Sequence, residues 1–172
     1  MLAALTLSPP DVTAAVKNTC LRGRGGAGFP TGVKWGLVPM GETAPKQKYI
    51  VANGDEMEPG TFKDRMLLER DAQQFIEGMV IGGYAIGASI GYVFLRNEYF
   101  AAAENLRRNI AEWTAAGLLG QNILGSGFNF YLYLHTSPGR HPRGQENAPT
   151  PPPDGLPPIP RPKPTVPDTL AP

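Results

Sequence analysis

Residues 21–35 read Leu-Arg-Gly-Arg-Gly-Gly-Ala-Gly-Phe-Pro-Thr-Gly-Val-Lys-Trp, with five glycines in the ten positions 23–32. Glycine adopts positive φ at no steric cost and lets a ligand approach bare backbone. A run of such residues turns several N–H groups toward one anion, forming a concave phosphate cradle. Arg22, Arg24 and Lys34 bring positive charge to the same place. A flexible linker is the plain alternative, but linkers are polar, whereas this stretch carries Phe29, Pro30 and Trp35. The chemistry expected here is the binding of a phosphate-bearing ligand.

Gly23, Gly25 and Gly28 fit G-x-G-x-x-G, a spacing that signals a dinucleotide site only between a strand and a helix. Here the segment before the loop, Pro10 to Asn18, reads as a short helix with Asp11 placed to cap it and Val12, Ala15 and Val16 on one side. The strand comes after the loop. A standard Rossmann first turn is therefore not expected.

A second chemical cluster is Asn53-Gly54-Asp55-Glu56-Met57-Glu58-Pro59-Gly60, with three carboxylates in the four positions 55–58. Metal binding is one reading, although no histidine or second acidic cluster completes a site. A carboxylate pair for acid–base work is another, without an evident nucleophile. Carboxylates and an amide also hydrogen-bond sugar hydroxyls and flat heterocycles. With the glycines on the phosphate, that describes a nucleotide or flavin mononucleotide pocket. A solvated acidic turn is the bland alternative.

The elements that must position these loops follow from periodicity and turn signals. Residues 48–54 form a short β-rich run that reads as a buried strand. A helical stretch is expected over 61–69, and Asp71 with Gln74 marks the start of a longer helix. Ile76, Val80 and Tyr84 recur every fourth residue, and Gly78, Gly82, Gly83 and Ala85 make much of that helix small. Residues 92–95 read as a second strand, and 98–116 as a helix with the stripe Leu106, Ile110 and Trp113 and Gly117 as its cap. Residues 128–134 read as a third strand. The order β-α-β-α-β with short apolar strands implies an α/β fold with a Rossmann-like parallel sheet and helices on its faces. Ligands of such sheets bind beyond the carboxyl ends of the strands. Those ends carry Asn53, Asp55, Glu56 and Glu58, then Arg96 and Glu98, then His135 and Thr136.

Composition narrows the classes further. A length of 172 residues allows one domain with a real core. A formal net charge of +1 gives no footprint for nucleic acid. One cysteine and two histidines show no zinc spacing. Cys20 is expected as a small buried filler, with a thiolate beside the basic loop as the alternative. No apolar run reaches membrane-spanning length, and the start lacks a basic n-region. An intracellular, soluble chain is expected. Eleven of the 24 residues from 149 to 172 are proline. The division expected is thus an α/β domain over 1–148 and an extended or disordered proline-rich tail over 149–172, with Pro160-Arg161-Pro162-Lys163-Pro164 as a possible SH3-type ligand.

Three long contiguous motifs carry a family resemblance: Arg22 to Trp35, Asn53 to Gly60, and Thr61 to Glu69 (T-F-K-D-R-M-L-L-E). Shorter matches follow at Glu77-Gly78-Met79, Gly91 to Arg96, Asn105 to Arg108 and Gly139. Together they resemble the flavin-bearing, NADH-oxidising 51-kDa (F-type) component of respiratory complex I and the related NAD-linked diaphorase subunits. The resemblance implies hydride transfer from NADH to FMN, then single electrons to iron–sulfur clusters; the flavin does the redox chemistry and the protein positions it. Carried over residue by residue, Gly23, Arg24, Gly25 and Gly26 line the FMN phosphate and ribityl chain, and Lys34 meets its oxygens. Asn53 and Asp55 hydrogen-bond the flavin, and Glu56, Gly144 and Glu146 complete the cofactor set. Phe29, Glu58 and Lys163 serve NADH. The implied partners are other subunits of an NADH dehydrogenase, notably a thioredoxin-like [2Fe–2S] subunit. The implied location is cytoplasmic and peripheral to the inner membrane, or the mitochondrial matrix.

The resemblance weakens after Gly139. His141, Arg143 and Gln145 stand where the family usually has Tyr, Cys and Glu, and Pro149 with Pro151 to Pro153 blocks the helix that usually follows. Leu37 and Val166 replace family aromatics. The family's second half, including the cysteines of its [4Fe–4S] cluster, has no counterpart here. A truncated or degenerate FMN-binding domain of an NADH dehydrogenase subunit, or a remodelled paralogue of one, is the reading. A non-catalytic structural remnant and an interaction module built on the proline tail are the alternatives.

Overall fold

The computed structural model describes residues 1–42 and 44–137. Three strands form one parallel sheet in the order β1 (Tyr49–Gly54), β2 (Ile90–Arg96), β3 (Tyr131–Ser137). Tyr49 pairs with Ile90 and Ile90 with Tyr131, so all three strands run side by side from the same end. The proline-rich segment 149–172, with its tail reading, lies outside the described residues.

Among the described residues, six α-helices accompany the sheet: α1 (Leu2–Leu5), α2 (Pro9–Asn18), α3 (Thr31–Gly36), α4 (Lys63–Arg70), α5 (Ala72–Ile86) and α6 (Phe100–Ala115). The two crossovers, through α5 and α6, step across the sheet in the same direction. Crossovers of one hand then place both helices on one face. That face buries Val93, Leu95 and Leu132 against Ile76, Val80 and Leu106. The opposite face presents Tyr49, Val51, Tyr131 and Tyr133, each more than a third exposed. The expected buried strand over 48–54 is therefore an edge strand with an alternating pattern, because only one of its faces is covered.

Local chemistry explains the element boundaries. Ser8, not Asp11, caps α2: its side chain accepts from the Asp11 amide at 3.4 Å, because Pro9 and Pro10 fill the first helical positions. Asp71 caps α5 through the Gln74 amide at 3.2 Å, and Gly87 ends that helix in the left-handed region. The third strand starts three residues later than expected. Phe128 is taken up by a loop, and Phe130 by an isolated bridge to Gly120. His135 and Thr136 consequently lie within β3 rather than beyond its end. The Phe130 ring is fully buried and fills the space in front of Gly83 and Gly91, where an added Cβ would meet it at 2.5 and 2.7 Å. These glycines let α5 and β2 close over an aromatic plug.

Candidate functional site

The acidic loop leaves the carboxyl end of β1, at the sheet edge where ligands of parallel sheets bind. Gly54 is obligatory there: a Cβ would lie 2.9 Å from the Phe94 carbonyl oxygen. Asn53 Oδ1 accepts from the Asp55 amide at 3.0 Å, a local turn that redirects the chain out of the sheet. The side chains then divide. Asn53 and Glu58 are exposed, Asp55 is half-buried, and Glu56 is buried.

Glu56 turns inward to the start of α4. Its Oε1 accepts from the Asp64 amide at 3.1 Å and its Oε2 from the Arg65 amide at 3.3 Å. The N-cap position of α4 is held by Phe62, whose side chain cannot cap it. A carboxylate from eight residues upstream satisfies two of the amides that a helix start leaves unpaired and matches the positive end of its dipole. Glu56 is thus a helix cap delivered from the preceding loop, while the neighbouring Asn53 and Glu58 stay at the loop surface.

The end of β2 closes round this carboxylate. Tyr99 donates its hydroxyl to Glu56 Oε2 at 3.3 Å. Arg96 donates from one terminal nitrogen to the Glu56 carbonyl oxygen at 2.7 Å and from Nε to Glu98 at 3.3 Å. The Arg96 guanidinium lies 5.3 Å from the Tyr99 ring centroid, and that of Arg65 lies 5.9 Å from it. Burial first, then the charge of Glu56, pushes the Tyr99 phenol above its ordinary value. Burial acts to lower Arg96, but the Glu98 hydrogen bond and charge outweigh it and raise it. Glu98 is held below the usual carboxylate range by its own backbone and then by Arg96. An open cleft of about 620 Å³ lies over these groups, lined by Glu56, Glu58, Arg65, Arg96, Tyr99 and Phe100 among others. The sequence places Arg96 at the strand end but gives no sign of Tyr99, because no spacing rule links a residue at a helix start to a loop forty positions upstream.

The glycine loop is a separate, self-closed unit. The Gly23 amide donates to the Phe29 carbonyl at 2.9 Å, and the Thr31 amide to that of Leu21 at 2.8 Å. Arg22 donates to the Gly28 carbonyl at 3.0 Å, so it braces the loop from within. Gly26 and Gly28 have φ of +121° and +62°, and a Cβ on Gly25, Gly26 or Gly28 would meet nothing within 4 Å. The tip is therefore open, with the side chains of Arg24 and Phe29 exposed beside it. Gly32 has a different task, since a Cβ there would collide with the Lys17 backbone where α3 crosses α2. Lys34, in the last turn of α3, is exposed. None of Gly23, Arg24, Gly25, Gly26 or Lys34 lines the cleft; among the described residues of the expected set, it gathers Glu56 and Glu58.

Cys20 is exposed, with φ of +56° just past the end of α2, so it is not the buried filler expected. A left-handed residue commonly follows a helix end, and here that position falls on a cysteine. Gly144, Glu146 and Lys163, with the departures at His141, Arg143, Gln145 and Val166, lie outside the described residues. Among the described residues no cluster of His, Cys, Asp and Glu is placed to hold a metal ion, and no helix is long and apolar enough to cross a membrane.

A three-stranded parallel sheet with its crossover helices on one face defines an α/β protein of the Rossmann-like class. Within that class the chain belongs to the family whose model is described as the Nuo51 FMN-binding domain, which matches residues 16–168. It is similar to the F-type subunit of NADH-quinone oxidoreductase from Escherichia coli (strain K12), with 54% identity over 146 residues, covering 84% of this chain and 33% of that one. A second F-type subunit, that of the NADH-quinone oxidoreductase of Rhizobium meliloti (strain 1021), is 50% identical over 141 residues, covering 82% and 33%. Among solved structures, an NAD⁺-reducing [NiFe]-hydrogenase in the H₂-reduced state aligns with a TM-score of 0.71 and 33% identity, over 84% of this chain and 23% of that one. The chain spans about one third of the length of the curated relatives it matches.

Proposed function

We propose that this chain binds FMN and forms part of an NADH-oxidising flavin site. The observation that carries the reading is the division of labour in the acidic loop. Glu56 is spent inside the fold as a helix cap, and this leaves Asn53 and Glu58 exposed at the carboxyl edge of a parallel sheet. The family match supplies the identity of the ligand.

The residues present fit that ligand. Gly25 and Gly26 form an open tip with no side-chain cover, as backbone capture of a phosphate requires. Gly23 closes the neck of that loop, and Arg24 and Lys34 offer exposed charge beside it. Asn53 and Asp55 are suited to hydrogen-bonding a flat heterocycle, Glu58 to ribose hydroxyls of NADH, and Phe29 to stacking on its adenine. Glu56 serves indirectly, through the loop it anchors. Gly144, Glu146 and Lys163 complete the proposed set. When bound, FMN supplies acceptance of a hydride from NADH and onward release of single electrons. The onward acceptor is proposed to sit on a partner, a thioredoxin-like [2Fe–2S] subunit of a multi-subunit assembly peripheral to the membrane. Titration with FMN and with riboflavin, followed by quenching of flavin fluorescence, tests the phosphate cradle. FMN is expected to bind at least tenfold more tightly, a difference of about 1.4 kcal/mol; equal affinity would remove the cradle from the reading.

Two observations favour a second reading. The glycine loop does not line the cleft, and the second sheet face, with Tyr49, Val51 and Tyr133, is uncovered among the described residues. A folded scaffold without flavin, which completes itself on further protein, accounts for both. A stable chain that takes up no FMN at tens of micromolar would select it.

A further inference from the structure

We propose that Arg96 and Tyr99 are positioning residues that hold the acidic loop in its ligand-ready shape. The inference rests on the flavin reading for its consequence and on geometry for its substance. Arg96 ends β2 and donates to the main-chain carbonyl of Glu56, the midpoint of the loop, at 2.7 Å. Tyr99 precedes α6 and donates to the carboxylate of the same residue at 3.3 Å. One residue of the loop is thereby fixed at backbone and side chain by two groups from the next strand and helix. The two groups also brace each other, with the Arg96 guanidinium over the Tyr99 ring at 5.3 Å.

The clamp governs more than Glu56. Asn53 and Asp55 lie within three residues before it, and Glu58 lies two residues after it. Peptide planarity leaves few free torsions over that span. A carbonyl held by a charged donor therefore restrains the torsions on either side of it and narrows the directions in which the flanking side chains leave the loop, and hydrogen bonds to charged groups are the stronger kind. The same residue carries the clamp to α4 through the Asp64 and Arg65 amides. Strand β2, helix α6, the loop and helix α4 thus meet at Glu56. Neither Arg96 nor Tyr99 needs to touch a ligand for this role.

Two measurements on the full chain test it. Amide hydrogen exchange reads the clamp without any ligand. Arg96→Ala and Tyr99→Phe are expected to raise exchange at Asp64 and Arg65 by about tenfold, the size of one lost hydrogen bond, while Val93 and Leu106 stay protected. FMN titration reads the consequence: Arg96→Ala is expected to weaken binding about tenfold at a temperature where the variant is still fully folded, its melting temperature falling by no more than about 8 °C, and Arg96→Lys to recover part of the loss. Unchanged exchange at Asp64 and Arg65 in both variants overturns the proposal. Should the parent chain take up no FMN, the flavin reading fails, and the exchange result still decides the clamp. Should Arg96→Ala fail to fold, Arg96→Lys and Tyr99→Phe provide the same two readouts.

Discussion

The Oε1 atom of Glu56 lies 3.1 Å from the backbone nitrogen of Asp64, eight residues further along the chain. A single carboxylate thus joins the exit of the first strand to the first turn of the helix that follows. The loop between them is anchored at its acidic centre by the buried member of the cluster, with Asn53 and Glu58 exposed on either side of the anchor.

Removing that carboxylate is expected to loosen α4 first. Glu56→Ala should cost about 1–2 kcal/mol, the range for losing a helix cap. Glu56→Gln, which keeps one acceptor oxygen, should cost less. Chemical denaturation of the three proteins checks the order, and an Ala variant as stable as the parent would show the cap to be idle.

Alkaline titration should expose the Tyr99 contact. Its folded-state value is raised above the ordinary one by burial and by Glu56. A group raised on folding contributes stability that is complete below the ordinary tyrosine value near 10. That contribution disappears as pH climbs through the higher folded value. The stability difference between the parent and Tyr99→Phe should therefore be constant from neutral pH to about 10 and shrink above it. Taking the difference also removes contributions the two proteins share, such as that of Lys48, which burial shifts downward.

Two glycines should respond to alanine with opposite signs. Gly91→Ala drives a methyl into the Phe130 ring and Leu132, at 2.7 and 2.9 Å. Overpacking of this kind costs about 1–3 kcal/mol. Gly78 lies inside α5 with nothing within 4 Å of an added Cβ, so Gly78→Ala should stabilise by up to about 1 kcal/mol through helix propensity. Thermal melts of the two variants give the comparison.

The glycine loop should show the same discrimination at its tip. Gly26 and Gly28 have positive φ, and alanine at either should strain the loop by about 1–2 kcal/mol. Gly25 carries no such requirement. FMN affinity, measured by fluorescence, is expected to fall in the Gly26→Ala and Gly28→Ala variants by more than in Gly25→Ala.

Much of this molecule is legible in its sequence, and the failures have particular causes. The alternation of apolar runs and four-residue periodicity announces all three strands and the helices α2, α4, α5 and α6. Asp71 and Gly117 mark helix ends correctly, Gly117 with φ of +69°. The third strand slips because Phe128 and Phe130 look like strand residues, yet they fill the core from a loop. The helix α3 is hidden because its six residues sit inside the glycine-rich stretch, and Gly32 there answers to the Lys17 backbone, a contact no local pattern encodes. The two loops are legible as motifs. The inward turn of Glu56 and its meeting with Arg96 and Tyr99 are not, since they depend on where strand ends come together in space.

One experiment bears most directly on the flavin reading: an absorbance spectrum of the purified chain after incubation with FMN and removal of excess, then anaerobic addition of NADH. Retention of a protein-bound flavin band that NADH bleaches is the expected result. A folded chain that retains no flavin, or a bound flavin that NADH leaves oxidised, would contradict the proposed site.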